Sequence, residues 1–133
     1  MSTKLEYFAG AYGPTLAIVP DDLPDLLAVQ RLFARLAAGD LRTVDFLQSL
    51  HCRSESVGAL IVRVVERDSP PAIVAHASSR LGPEFWWSGT HQLWQDCVDL
   101  CEGLITSESP GHQYLTRQGV DGVLVELNFR ETL

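Results

Sequence analysis

The run Val123-Leu124-Val125-Glu126-Leu127-Asn128-Phe129 sets Val123, Val125, Leu127 and Phe129 against Leu124, Glu126 and Asn128. Alternation with period two is the pattern of a β-strand with one buried face. It predicts Val125 and Leu127 in the core and Glu126 and Asn128 on the other side of the sheet. Upstream, Gly119-Val120-Asp121-Gly122 reads as a turn, and His112-Gln113-Tyr114-Leu115-Thr116 as the antiparallel partner strand.

Ahead of this hairpin, Ser109-Pro110-Gly111 closes a helical stretch that starts from Ser88 or Thr90 as cap and runs to about Thr106. Leu93, Trp94, Cys97, Val98, Cys101, Leu104 and Ile105 form its apolar stripe at three- and four-residue spacing. An earlier helix begins after Asp22, whose carboxylate can cap the first turn, tolerates Pro24 there, and stops at Gly39. Its buried stripe is Leu23, Leu26, Leu27, Phe33, Leu36 and Ala37, with Gln30, Arg31 and Arg35 on the wet side.

Between the helices, Arg42–Cys52 satisfies two periods: Val44, Phe46, Leu50 and Cys52 alternate, while Val44, Leu47 and His51 fit a helix. The strand reading is preferred, because Arg53-Ser54-Glu55-Ser56 looks like a hairpin turn into the β-branched run Leu60–Val65. Ala72–Ala77 then makes a third strand of a meander, and Gly82-Pro83 leads to the aromatic segment Glu84-Phe85-Trp86-Trp87. At the start, Leu5–Phe8 and Thr15–Val19 read as strands about a Gly10–Pro14 turn. There is no visible internal repeat and no linker, so residues 1–133 are expected to form a single domain. The expected fold class is α+β: a mainly antiparallel twisted sheet of five to seven strands with two amphipathic helices.

Composition narrows the functions open to this domain. The chain has 133 residues, with 17 acidic against 10 basic side chains and a net charge of −7. A negative field of that size disfavours nucleic acid and anionic membrane surfaces as partners. Apolar runs such as Ala59–Val62 are far too short to span a bilayer, and the first residues lack a secretory pattern, so a cytoplasmic location is expected. The three cysteines, Cys52, Cys97 and Cys101, do not suggest a disulfide framework.

Candidate chemistry is sparse. Cys97 and Cys101 lie four apart on the second helix and could share a metal with His91 or His112, yet no second ligand pair accompanies them. Their place in an apolar stripe favours core packing, so no metal or cofactor is expected. The histidines His51, His76, His91 and His112 lack an evident acid or nucleophile partner, and His112 alone opens a strand after a Pro-Gly turn. Phosphate-loop, dinucleotide, nucleophile-elbow and zinc-helix signatures are absent. Of the adjacent pair Trp86 and Trp87, one must leave the core if the segment is a strand, and an exposed Trp is a favoured interface anchor. Asp96, Asp99 and Glu102 share one face of the second helix, with Glu108 just beyond, whereas Asp21, Asp22 and Asp25 are accounted for by the first helix's N-terminus.

The stretch from Trp94 through Leu104-Ile105, then Pro110-Gly111-His112-Gln113-Tyr114-Leu115 and Val123-Leu124-Val125-Glu126-Leu127, resembles small acidic bacterial α+β proteins of the immunity type. That resemblance implies a stoichiometric, non-catalytic binder of a toxin enzyme and carries over no particular residue. The order of first helix, Val44–Cys52, Leu60–Val65 and Ile73–Ala77 also looks like the Sm-like barrel, though without its signature motif and without the charge for RNA. The resulting expectation is a protein-binding module for a basic partner, working through Trp86 or Trp87 together with Asp96, Asp99 and Glu102. An enzyme or ligand-binding domain with a pocket near His112 and Trp86 is the alternative.

Overall fold

The computed structural model describes residues 2–79, 82–107, 110–116 and 123–129, with backbone alone for 76–79. The class is α+β, and the described residues form eight strands and three helices. The strands build two four-stranded mixed sheets in place of the single sheet expected.

The first sheet has the order β1-β2-β8-β7, from Lys4–Gly10 (β1), Gly13–Val19 (β2), Leu124–Phe129 (β8) and Gly111–Tyr114 (β7). The second has the order β3-β4-β6-β5, from Thr43–Asp45 (β3), Ala59–Val64 (β4), Gly82–Gly89 (β6) and Ala72–Ser79 (β5). Pairing is antiparallel for β1–β2, β3–β4, β5–β6 and β7–β8, but parallel for the central pairs β2–β8 and β4–β6. The predicted meander is therefore corrected: β6 inserts between β4 and β5. The terminal hairpin pairs as predicted, while its turn at Gly119–Gly122 lies outside the described residues.

The expected absence of a repeat is also corrected, at the level of topology. One ββαββ unit consists of β1, β2, α1 (Leu23–Ala38), β3 and β4, and a second consists of β5, β6, α3 (His91–Thr106), β7 and β8. Each unit gives its first hairpin to one sheet and its second to the other, so exchanging the units maps one sheet order onto the other. The match extends to single positions. Leu16 pairs with Val125 and Ile18 with Leu127, as Phe85 pairs with Leu60 and Trp87 with Val62, and all eight are fully buried. Leu26, Val29, Phe33 and Leu36 occupy in α1 the buried places that Trp94, Cys97, Cys101 and Leu104 hold in α3.

Both long helices start and stop for local reasons. Asp22 accepts a hydrogen bond from the Asp25 N–H at 3.0 Å, and Gly39 ends α1 with φ 85, a left-handed conformation that costs glycine nothing. Thr90 caps α3 through the Leu93 N–H at 3.3 Å. The helices run antiparallel, since the His91 ring lies at the Leu36 and Ala37 carbonyls while Gln30 reaches Val98 and Glu102.

Residues 43–52 depart from the strand expectation. After three strand residues the Asp45 carboxylate accepts from the Leu47 N–H at 3.0 Å and starts the short helix α2, Phe46–Ser49. A capping side chain here outcompetes the sheet ladder for the backbone. Arg53–Ser56 is likewise not a hairpin turn. It runs beside β1, with Arg53 N–H donating to Thr3 O and Leu5 N–H to Arg53 O, both at 2.9 Å. The Ser56 hydroxyl accepts from the Tyr7 N–H, and Gly58 N–H donates to Pro83 O, so this segment ties the two sheets together. Gly82 closes the seam with φ 135, where a Cβ would stand 2.5 Å from the Ser56 carbonyl oxygen.

The inner faces of both sheets and the two long helices share one core, centred on the rings of Phe33, Phe46, Trp87 and Trp94. No described helix is long and apolar enough to cross a membrane.

Candidate interaction surfaces

Asp96, Asp99 and Glu102 are all exposed along one side of α3, as their three-residue spacing dictates. Each is held by a glutamine amide: Gln92 donates to Asp96 at 2.9 Å, Gln95 to Asp99 at 3.1 Å, and Gln30 of α1 to Glu102 at 2.9 Å. An amide orients a carboxylate without cancelling its charge. Among the described residues the only ion pair is Lys4–Glu6, elsewhere on the molecule, so the strip keeps three uncompensated charges. Glu108 lies outside the described residues.

Trp86 and Trp87 separate as a strand requires. Trp87 is fully buried, with its ring edge-on to Trp94 of α3 at 4.9 Å and to Phe33 of α1 at 5.9 Å. Of the alternatives Trp86 or Trp87, Trp87 is therefore the one that stays in the core and is out of a partner's reach. Its indole N–H is buried without an acceptor. Trp86 faces outward, 36% exposed, with the Arg63 guanidinium 5.6 Å from its ring centroid and half-exposed Val74 beside it on β5. Because α3 packs on the Trp87 side of the sheet, Trp86 looks away from Asp96, Asp99 and Glu102. The single surface expected from the sequence thus divides into two that face in opposite directions.

His112, on β7, and Trp86, on β6, stand in different sheets. A cavity of about 850 Å³ lies at the start of α3, where Arg42, Glu66, Arg67, Thr90, His91 and Gln92 line it. His91 there is engaged structurally, its Nδ1 3.1 Å from the carbonyl oxygens of both Leu36 and Ala37 at the end of α1. His112 lies on β7 opposite Asn128, with its ring edge-on to Tyr114 at 5.4 Å.

The cysteines lie in the apolar stripe that the spacing suggested. Burial pushes the Cys101 thiol up to about 12, with the neighbouring Glu102 charge adding to the effect, and lifts Cys97 well above its ordinary value, aided by Cys101 and Asp96. Cys52 is pushed to about 12 by burial, then by Asp45 and Asp25. All three are protonated thiols at neutral pH and poor nucleophiles or metal ligands. Among the described residues no three His, Cys, Asp or Glu side chains gather in metal-binding geometry. Native protein at pH 8 is accordingly expected to leave Cys97 and Cys101 unmodified by a thiol reagent until denaturant is added, and to carry no stoichiometric zinc. Rapid labelling of both in the native state, or one zinc per chain lost in Cys97→Ala, would contradict this packing.

The sequence reading missed a fourth region, the outer face of β8. Glu126 and Asn128 point there as predicted, but both are buried, at 8% and 0% exposure. Asn128 Nδ2 donates to Glu126 Oε1 at 3.3 Å. Two polar side chains inside an otherwise apolar strand were the available signal; the small Ala17 paired with Glu126 is visible only once β2 lies beside β8.

Comparison with protein-family models, with curated proteins and with solved structures found no match. The functional reading therefore rests on the surfaces themselves.

Proposed function

We propose that this protein is a non-catalytic binding module for a basic partner protein, of the immunity type that its C-terminal third resembles, working in the cytoplasm. The observation that supports this reading is the α3 strip, where Asp96, Asp99 and Glu102 are exposed, aligned and tied to glutamine amides in place of cations. Such a strip steers a positively charged protein into encounter and acts mainly on the association rate. The attraction weakens as salt shortens the Debye length from about 10 Å at 0.1 M to about 3 Å at 1 M.

The test is capture from the native lysate by tagged wild type and by the Asp96→Lys/Asp99→Lys variant, followed by association kinetics on whatever is retained. A basic protein held by wild type, lost in high salt and associating at least tenfold more slowly with the variant, is the expected result. Equal capture and equal association rates by both proteins would sink the reading.

The cavity at the start of α3 favours a second reading, a small ligand-binding domain. Two guanidinium groups, Arg42 and Arg67, line it. Saturable thermal stabilisation by inorganic phosphate, lost in Arg42→Ala, would move this reading ahead; no change in melting would remove its support.

A further inference from the structure

The cavity of about 850 Å³ at the start of α3 is framed by backbone that fixes where its side chains stand. The Val64 N–H donates to the Arg42 carbonyl and the Val65 N–H to the Gly89 carbonyl, both at 2.8 Å, so Arg42, the end of β4 and the start of α3 surround one space. Beyond Val65 the chain turns back on itself, with the Ser69 N–H donating to the Glu66 carbonyl at 2.9 Å. That turn carries Glu66, Arg67 and Ser69, and all three line the cavity.

The lining divides into two chemistries. Arg42 and Arg67 supply two guanidinium forks, whose planar sets of donors match the oxygens of a phosphate. A phosphate ion alone leaves most of the volume unfilled, since cavities of roughly 300–1,000 Å³ hold whole small molecules. The other polar side chains are a carboxylate, two hydroxyls and an amide, from Glu66, Ser69, Thr90 and Gln92. Thr90 Oγ1 accepts from the Leu93 N–H and keeps its own O–H to donate, while Gln92 Nε2 donates to Asp96 and leaves Oε1 to accept. Groups that ask for both donors and acceptors are met by hydroxyls, which are both; an ammonium only donates.

We propose that this cavity binds a polyhydroxylated phosphomonoester, a sugar phosphate. Its phosphate lies on Arg42 and Arg67, and its hydroxyls meet Glu66, Ser69, Thr90 and Gln92. Such a ligand presupposes that the cavity binds small molecules, the second reading of function, and narrows that reading to one class of compound.

The test is a titration of isotope-labelled full-length protein, followed by backbone and side-chain amide resonances, with ribose phosphorylated on its primary hydroxyl as probe. Inorganic phosphate, ribose, phosphoethanolamine and adenosine monophosphate serve as comparisons. The ribose phosphate is expected to shift the Gln92 side-chain amide and the Gly39, Val65 and Ser69 backbone resonances saturably. It is expected to bind at least tenfold more tightly than inorganic phosphate, ribose or phosphoethanolamine, and adenosine monophosphate to bind no more tightly than it does. Arg67 is exposed, so Arg67→Ala is expected to weaken the ribose phosphate at least tenfold while the rest of the spectrum stays that of wild type. Glu66→Ala is expected to cut the preference for ribose phosphate over inorganic phosphate at least threefold. Inorganic phosphate binding in the cavity as tightly as ribose phosphate would overturn the sugar phosphate and leave the ligand-binding reading standing, whereas no shift from any probe would remove both. Tightest binding by phosphoethanolamine or adenosine monophosphate, or undiminished binding by Arg67→Ala, would also overturn the assignment.

Discussion

Val125→Asp is expected to leave the protein unfolded at room temperature, or to cost at least about 3 kcal/mol in urea unfolding, as an unpaired buried charge does. Val125 is fully buried on the inner face of β8, where it pairs with Leu16 of β2. Its N–H donates to the Thr116 hydroxyl at 2.8 Å, and its carbonyl accepts from Leu115 at 2.8 Å. An aspartate there can neither turn to water nor shift register, because a slip of one residue would bring Glu126 into the core. A total stability of about 5–15 kcal/mol has little room for such a loss. A melting temperature close to wild type would show that the inner face of this strand has been misassigned.

Phe33→Ala is expected to cost about 3–5 kcal/mol while leaving the fold recognisable by circular dichroism. Phe33 is fully buried, with ring centroids 5.2 Å from Phe46, 5.9 Å from Trp87 and 6.0 Å from Trp94. Removing it opens a hole among three rings that stand on three separate elements, α2, β6 and α3, so the hole closes only if those elements shift. The equivalent position in the second unit is Cys101, and Cys101→Ala removes a single atom, so a cost of about 1 kcal/mol is expected there. Trp86→Ala, on the outer face, should also stay near about 1 kcal/mol. Calorimetric melting of the three variants checks the order, and a Trp86→Ala loss equal to that of Phe33→Ala would contradict the assignment of faces.

The comparison of Phe33 with Cys101 also explains why the duplicated topology was not legible in the chain. What the two units share is the placement of buried positions, while the residues that fill them differ. Phe33 meets Trp94 where their counterparts are Cys101 and Leu26, large against small, so that one end of the helix pair is filled by aromatic rings and the other by aliphatic side chains and thiols. Packing constrains the sum of volumes at a contact, and two ends with the same backbone can reach that sum differently. A search for repeated residues finds nothing, although the buried positions recur.

The candidate sites divide in the same way. The exposure of Asp96, Asp99 and Glu102 followed from helical spacing, and the opposition of Trp86 to Trp87 from strand alternation. Which tryptophan faces outward, and that it faces away from the acidic strip, depended on the side of the sheet that α3 covers. The burial of Glu126 and Asn128 was not legible either, because Ala17, far away in sequence, comes to lie beside Glu126 only through the parallel pairing of β2 with β8.

Local interactions, then, were readable from the chain alone: the cap at Asp22, the stop at Gly39, the apolar stripe of α3 and the alternation along β8; the stripe of α1 was read in part, since Leu23 and Leu27 are exposed while Val29 and Leu32 are buried, and the choice of Thr90 over Ser88 as the cap of α3 came from the structure. Each of these depends on residues within a few positions of one another, where spacing alone decides the geometry. The order of strands, the two parallel pairs, the joining of the sheets through residues 53–58 and the burial of Glu126 were decided by the tertiary structure. Those features arise from apolar faces seeking cover across the whole domain, and many sequences of elements present the same faces until the helices and sheets close on one core.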